Sequence, residues 1–156
     1  MQENNNQEGY KMPVILFVLG ALPLAVGYIQ NWYMMTNMDS PVPHRLIAFS
    51  FLFIWGFISF LLNKNGKKTK QIVIFLNLIA ALDLVLILIQ EFALHSYLNN
   101  HIGILTQMFY LPVLNLAFSL TSWLHQVFPA YIAGFLLMVG VSFIGCKLRE
   151  KWKNSL

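Results

Sequence analysis

Residues 72–90 read IVIFLNLIAALDLVLILIQ, an apolar run with a single carboxylate, Asp83, near its middle. A helix of about 20 residues crosses the roughly 30 Å of hydrocarbon in a bilayer, so this run is long enough to span a membrane. Asp83 is the one charged residue inside any apolar run of the sequence, and a charge at the bilayer centre costs about 2.5 to 3.5 kcal/mol on insertion scales. We therefore expect polar groups of another helix to surround Asp83.

The composition indicates a protein whose solvent is lipid. Of the 156 residues, 58% are hydrophobic and 10% are charged, whereas soluble domains carry about 25% charged residues. The net charge of +4 arises from short clusters of bases beside apolar runs, which are typical of cytoplasmic membrane anchors rather than of nucleic-acid binding. We expect the protein in a cell membrane, either a plasma membrane or a bacterial inner membrane, with the bilayer as its partner and without nucleic acid.

Four other apolar runs accompany the central one. The sequence predicts an all-α, polytopic integral membrane bundle with five hydrophobic helical segments, at about residues 12–28, 46–62, 72–90, 102–120 and 130–146. The last two segments belong to one uncharged stretch, which as a single helix would be about 68 Å long, so we place a break within residues 121–129. A polar N-terminal tail (1–11) and a basic C-terminal tail (147–156) flank this single transmembrane domain.

The distribution of bases bears on how many segments cross the membrane. If all five cross, the ten Lys and Arg residues divide equally between the two sides. If one of the last three segments fails to cross, Arg45 stands alone on one side, as the positive-inside rule favours. The fourth segment, which contains Pro112, is the one we expect to be re-entrant or broken. The alternative is five crossings without an orientation bias, as in an antiparallel dual-topology dimer.

Polar side chains of the third and fourth segments fall at matching depths. In an antiparallel hairpin of the two, Asp83 and Tyr110 each lie about 3 Å to one side of the midpoint, while Asn77 and Asn115 lie about 6 and 4.5 Å to the other. We predict that Asp83 faces the Tyr110 hydroxyl and that the two asparagines form an amide pair, which would satisfy polar groups otherwise unpaired in hydrocarbon.

Gln90 extends this set toward the outer boundary of the membrane. It lies seven residues after Asp83 and shares its helix face, where it would line the mouth of a cavity. Asp83, Tyr110, Asn77, Asn115 and Gln90 are therefore the predicted ligand-binding or proton-titrating residues. Interhelical packing without a ligand is the alternative interpretation.

The sequence contains no motif for catalysis, metal binding or a cofactor. Its histidines lack H-E-x-x-H spacing, and no Gly-rich phosphate loop or G-x-S-x-G motif is present. The single cysteine, Cys146, excludes an intramolecular disulfide and a CxxC site. We predict no catalytic residue, no metal ligand and no cofactor.

In its length and its five apolar segments the chain resembles the tryptophan-rich translocator family of porphyrin and sterol binders. That family carries a W-x-P-P motif after its first helix, where residues 39–45 of this chain read DSPVPHR. The resemblance is therefore confined to length and segment number.

Three functional interpretations follow from the residues. The first is a non-enzymatic membrane protein that binds a small apolar or amphipathic ligand, or that acts as an accessory to another membrane protein. The second is a small proton-coupled transporter that forms a homo-oligomer and in which Asp83 is the titrating carboxylate. The third is a membrane enzyme that uses a metal held near His95 and His101.

Overall fold

The computed structural model of the chain describes residues 14–38, 41–63, 68–95 and 101–155. Within these ranges every regular element is a helix, which confirms the all-α prediction. A 3₁₀ turn, Ser122–Leu124, precedes the last helix. The six α-helices are α1 (Leu22–Thr36), α2 (His44–Leu62), α3 (Thr69–Leu76), α4 (Leu78–Phe92), α5 (His101–Thr121) and α6 (Phe128–Asn154).

Four helical stretches are long and apolar enough to cross a membrane by length and composition: Val14–Thr36, His44–Leu62, His101–Leu124 and Phe128–Asn154. The first includes α1 and a separate helical stretch, residues 14–20, before it. Helices α3 and α4 make a fifth stretch if the bent pair is counted as one. The predicted N-terminal tail lies outside the described residues, whereas the predicted basic C-terminal tail continues α6 as far as Asn154.

The helix break lies in the third segment, not in the fourth. We expected one helix over residues 72–90, and this was wrong: α3 and α4 meet at an angle of 44°, with Asn77 between them at φ −100° and ψ 9°. The expected break in the fourth segment was also wrong, because α5 continues through Pro112. Pro112 removes one backbone donor, but it is buried against α1, where a Cβ on Gly27 would lie 3.4 Å from its Cδ, and this packing holds the helix.

The bent pair α3 and α4 runs antiparallel to α6 over the length of the bundle. Three contacts fix its course: the Thr69 hydroxyl donates to the Glu150 carboxylate, the Asn77 amide donates to Ser142 at 3.1 Å, and the rings of Phe92 and Phe128 lie 5.2 Å apart. The stretch of α6 between the first and the last contact is about 33 Å long. The bend therefore changes the direction of the chain without turning it back.

Helix α2 runs parallel to α6. The backbones touch at Gly56 and Gly145, and further along both helices the rings of Phe60 and Trp152 stack at 5.8 Å. The C-terminal part of α6 therefore lies beside the connection between α2 and α3. We call this the basic end of the bundle, because it contains Lys68, Lys70, Lys147, Arg149, Lys151 and Lys153. We call the other end, marked by His44, Phe92 and Phe128, the far end.

Helix α1 runs from the basic end toward the far end. Gly20, just before α1, packs against the Leu76 carbonyl, and Gln30 near its C-terminus bonds His44 at 3.1 Å. The chain thus passes between the two ends four times, in α1, α2, the bent pair and α6.

Helix α5 packs against the part of the bundle nearer the far end. Phe92, which precedes α5 in the sequence, contacts Phe128, which follows it, at the far end. Thr106, near the start of α5, accepts a hydrogen bond from Gln90 at 3.3 Å, and Asn115, in its second half, lines a surface groove with His44. Helix α5 is long enough to span a membrane by length and composition, and its Thr106 and Asn115 both lie toward the far end.

Candidate functional site

The carboxyl of Asp83 lies inside the bundle without a compensating base. The residue is 9% exposed, and its Oδ2 atom is buried with no hydrogen-bond partner among the described residues. Every Lys and Arg of the sequence lies outside the apolar runs. Asp83 therefore offers an unused acceptor in the apolar interior.

Two tyrosines from neighbouring helices surround this acid. Tyr110 of α5 is fully buried, and its ring meets that of Tyr131 of α6 edge to face at 5.7 Å. The Tyr110 hydroxyl donates to the Ala80 carbonyl oxygen, one helical turn before Asp83. We define the Asp83 site as Asp83, Tyr110 and Tyr131, which bring together helices α4, α5 and α6.

The expected hydrogen bond between Asp83 and the Tyr110 hydroxyl is replaced by a backbone contact. The Tyr110 hydroxyl donates to the Ala80 carbonyl oxygen at 2.6 Å. Ala80 lies three residues before Asp83 and hence on the same helix face. The prediction placed the right two helices together, but the oxygen that accepts the tyrosine proton belongs to the main chain.

Small residues allow the helices to approach closely around the Asp83 site. A Cβ on Gly134 of α6 would lie 3.2 Å from Val113 Cγ2 and 3.4 Å from Tyr110 Cδ1, and one on Gly27 of α1 would overlap the Met108 carbonyl oxygen. Gly27 contacts the α5 backbone, whereas Gly134 contacts the Tyr110 ring and the Val113 side chain. This close packing holds the Tyr110 ring in one position.

Asn77 does not pair with Asn115, so that prediction was wrong. Asn77 accepts the indole N–H of Trp55 at 3.3 Å and donates to the Val73 carbonyl at 2.9 Å and to Ser142 at 3.1 Å. Asn115 is exposed in the groove beside His44. The hairpin assumed in the prediction placed α5 next to Asn77, whereas α2 and α6 occupy that position.

The sequence reasoning missed a ladder of polar groups between Asn77 and the basic end. Ser59 donates to the Trp55 carbonyl at 3.0 Å, and the Asn63 amide donates to the Cys146 carbonyl and to the Thr69 hydroxyl, both at 3.1 Å. A signal was present, since Asn63 and Thr69 flank the basic connection between two apolar runs. Because neither residue lies inside an apolar run, neither was predicted to be a polar group within the membrane.

Gln90 is buried between helices at the far end. It is 2% exposed and donates to Thr106, whose hydroxyl in turn donates to the Gly103 carbonyl at 2.8 Å. Its contacts tie the end of α4 to the start of α5. The role of Gln90 in binding a ligand stays a prediction.

The chemistry open to the Asp83 site is that of an acceptor in an apolar surrounding. An unpaired carboxyl oxygen can accept a hydrogen bond, take up a proton or pair with a cation. The tyrosine rings beside it provide apolar faces. Among the residues that the structure describes, no group of three His, Cys, Asp or Glu side chains is arranged to hold a metal ion. No protein-family model matches the chain, and no curated protein or solved structure is significantly similar to it.

Proposed function

We propose that this chain is a non-enzymatic, multi-pass membrane protein that binds a small amphipathic ligand, whose polar group contacts Asp83. The observation that supports this most strongly is the buried, unpartnered Oδ2 of Asp83 beside Tyr110 and Tyr131. A ligand that donates a hydrogen bond would fill this position, and its hydrocarbon part would lie among the apolar side chains of the bundle.

The energetic argument rests on the cost of an unpaired buried acceptor. Leaving such a group without a partner costs about 1 to 3 kcal/mol, and more if it is charged. Folded proteins seldom retain this cost without a reason, and intramembrane acids usually belong to functional sites. A ligand with a hydrogen-bond donor would recover this free energy when it binds. The recovered free energy would favour binding next to Asp83.

The proposed topology has four crossings, with the basic end in the cytoplasm. Six bases lie at the basic end among the described residues, and Arg45 lies at the far end. The positive-inside rule places the richer side inside. Helix α5 then packs within the bundle, where buried residues on α5 such as Thr106, Tyr110 and Val113 are shielded from lipid by the other helices.

The proposed ligand site is tested with three probes of equal chain length: dodecylamine, dodecanol and dodecanoate. The first two carry hydrogen-bond donors, whereas dodecanoate brings a second carboxylate. We expect dodecylamine and dodecanol to raise the thermal stability of the purified protein in detergent, and dodecanoate to have a smaller effect. In Asp83→Asn and Asp83→Leu the affinity for dodecylamine should fall at least about tenfold.

The control is Ser119→Ala, which removes an exposed hydroxyl of α5 whose bond goes to its own helix. It should bind dodecylamine as the unmodified protein does. Equal affinity in the unmodified protein and in both Asp83 variants would overturn the proposed site.

A proton-coupled transporter is the second candidate. It is favoured by the absence of any base from the apolar runs, because a proton is then the simplest way to neutralise Asp83. Proteoliposomes that contain a pH-sensitive dye distinguish the two, with protein-free liposomes as the baseline because dodecylamine itself crosses lipid and takes up protons. A transporter adds a proton flux above this baseline when dodecylamine is added and loses the added flux in Asp83→Asn, whereas a binding protein adds none in either form.

A further inference from the structure

An apolar groove lies on the outside of the bundle where α2 and α6 pack together. Its cavity volume is about 320 Å³. Gly56 and Gly145 form the floor, because neither has a side chain and their backbones touch. The largely exposed side chains of Phe53, Phe57, Ile144 and Leu148 line it.

The groove leads toward a basic side chain. Because α2 and α6 are parallel, the lining residues run for about 10 Å toward the basic end and finish at Phe60 and Leu148, next to Arg149. The Arg149 guanidinium lies 5.0 Å from the centre of the Phe60 ring and 4.7 Å from that of Trp152. Its Nε is buried and has no hydrogen-bond partner within the described part of the chain.

The charge around this end of the groove is strongly positive. Among the described residues of the basic end, six bases accompany one acid, Glu150. Glu150 already binds Lys147 at 2.6 Å and accepts the Thr69 hydroxyl. The nearby carboxylate is therefore occupied, and an anion beside Arg149 would meet little repulsion.

We propose that this groove binds one anionic phospholipid. Its phosphate contacts Arg149, whose stacked guanidinium is held in place for a bidentate phosphate contact, and part of an acyl chain covers the two glycines. A second copy of the chain fits less well. In a parallel two-fold dimer through this groove, the bases of both copies would face each other at the same depth.

The test is native mass spectrometry of the full chain in a neutral detergent, with POPG or POPC added at equal concentration. We expect one POPG to bind in preference to POPC. Arg149→Gln should reduce this preference at least about fivefold. Lys151→Gln removes the same charge from an exposed position of the same helix, and it should keep the preference within about twofold.

A second variant tests the groove separately from the charge. Ile144→Trp places a large ring in the groove and leaves Arg149 unchanged, so it should also lose bound POPG, and this variant decides the test if Arg149→Gln does not fold. The proposal is overturned if Arg149→Gln retains the preference, if Lys151→Gln lowers it equally, or if Ile144→Trp binds POPG normally. It is also overturned if cysteines at Phe53 and Ile144 cross-link two copies through the groove.

Discussion

At the scale of residues, two polar positions of the central run, Asn77 and Asp83, have opposite roles. Asn77 uses its amide in three hydrogen bonds, to Trp55, Val73 and Ser142. Asp83, six residues later, leaves Oδ2 without a partner among the described residues. We interpret Asn77 as a residue that stabilises the fold and Asp83 as one that the fold tolerates because of its function.

Replacing Asp83 by leucine should therefore stabilise the protein. The substitution removes an unpaired buried acceptor, so the free energy of unfolding should rise by about 1 to 3 kcal/mol. Unfolding in mixed micelles with increasing SDS measures this change. A clear loss of stability would mean that the carboxyl has a structural partner and would contradict the assignment of a ligand site.

Replacing Asn77 by leucine should have the opposite effect. It leaves the Trp55 indole N–H without its acceptor, and we expect the free energy of unfolding to fall by about 1 to 2 kcal/mol. The same SDS titration provides the measurement, and binding of dodecylamine should be retained. An Asn77→Leu protein as stable as the unmodified one would show that these bonds contribute little.

At the scale of elements, glycines set the distance between helices. Gly145 of α6 packs directly on the Gly56 carbonyl of α2, whereas a Cβ at Gly140 of the same helix would meet nothing within 4 Å. Helix association in lipid depends on such close packing, because burial of apolar surface provides little driving force there. The α2 and α6 interface should therefore be sensitive to a single methyl group.

Gly145→Ala tests this contact, with Gly140→Ala as its matched control. The first substitution forces two backbones apart and should lower the free energy of unfolding by about 1 to 3 kcal/mol. The second adds a methyl group in open space and should raise helix stability by up to about 1 kcal/mol. SDS titration of both variants provides the comparison, and equal stabilities would show that the α2 and α6 backbones are not in contact.

The elements also show what the sequence was able to predict. Hydropathy located helices in all five apolar runs, and the break within residues 121–129 appears as the 3₁₀ turn and loop before α6. The sequence did not predict the position of the bend. Pro112 is the stronger helix breaker by propensity, but the helix breaks at Asn77. The difference lies in tertiary contacts: Gly27 of α1 packs on the helix beside Pro112, while Trp55 and Ser142 bind the Asn77 side chain.

The candidate site was predicted only in part, again because tertiary contacts decide which side chains meet. Depth along a helix was inferred from residue number and the rise per residue, and it paired α4 with α5, where the Tyr110 hydroxyl bonds the Ala80 carbonyl one turn before Asp83. Depth does not determine which helix lies beside a given face, because that depends on how the whole bundle packs. The sequence therefore predicted Asn115 as the partner of Asn77, whereas Trp55 and Ser142 bind the Asn77 side chain in the structure. It contained no indication that Tyr131 belongs to the Asp83 site.

At the scale of the whole molecule, the proposed topology of four crossings reconciles hydropathy with the distribution of charge. Five apolar runs suggest five crossings, but the positive-inside rule favours four. Because α6 runs parallel to α2, its C-terminal bases join Lys68 and Lys70 at one end of the bundle. If α5 does not cross, as the proposed topology has it, the basic connection and the C-terminus lie on the same side of the membrane.

Single cysteines in a Cys146→Ala background test this topology, with a membrane-impermeant maleimide applied to sealed, inside-out vesicles. We expect Lys70→Cys and Ser155→Cys to be labelled together, and Met38→Cys and Trp123→Cys to be labelled only after the vesicles are opened. Labelling of Ser155→Cys together with Met38→Cys, and apart from Lys70→Cys, would show that α5 crosses the membrane and that the proposed topology is wrong.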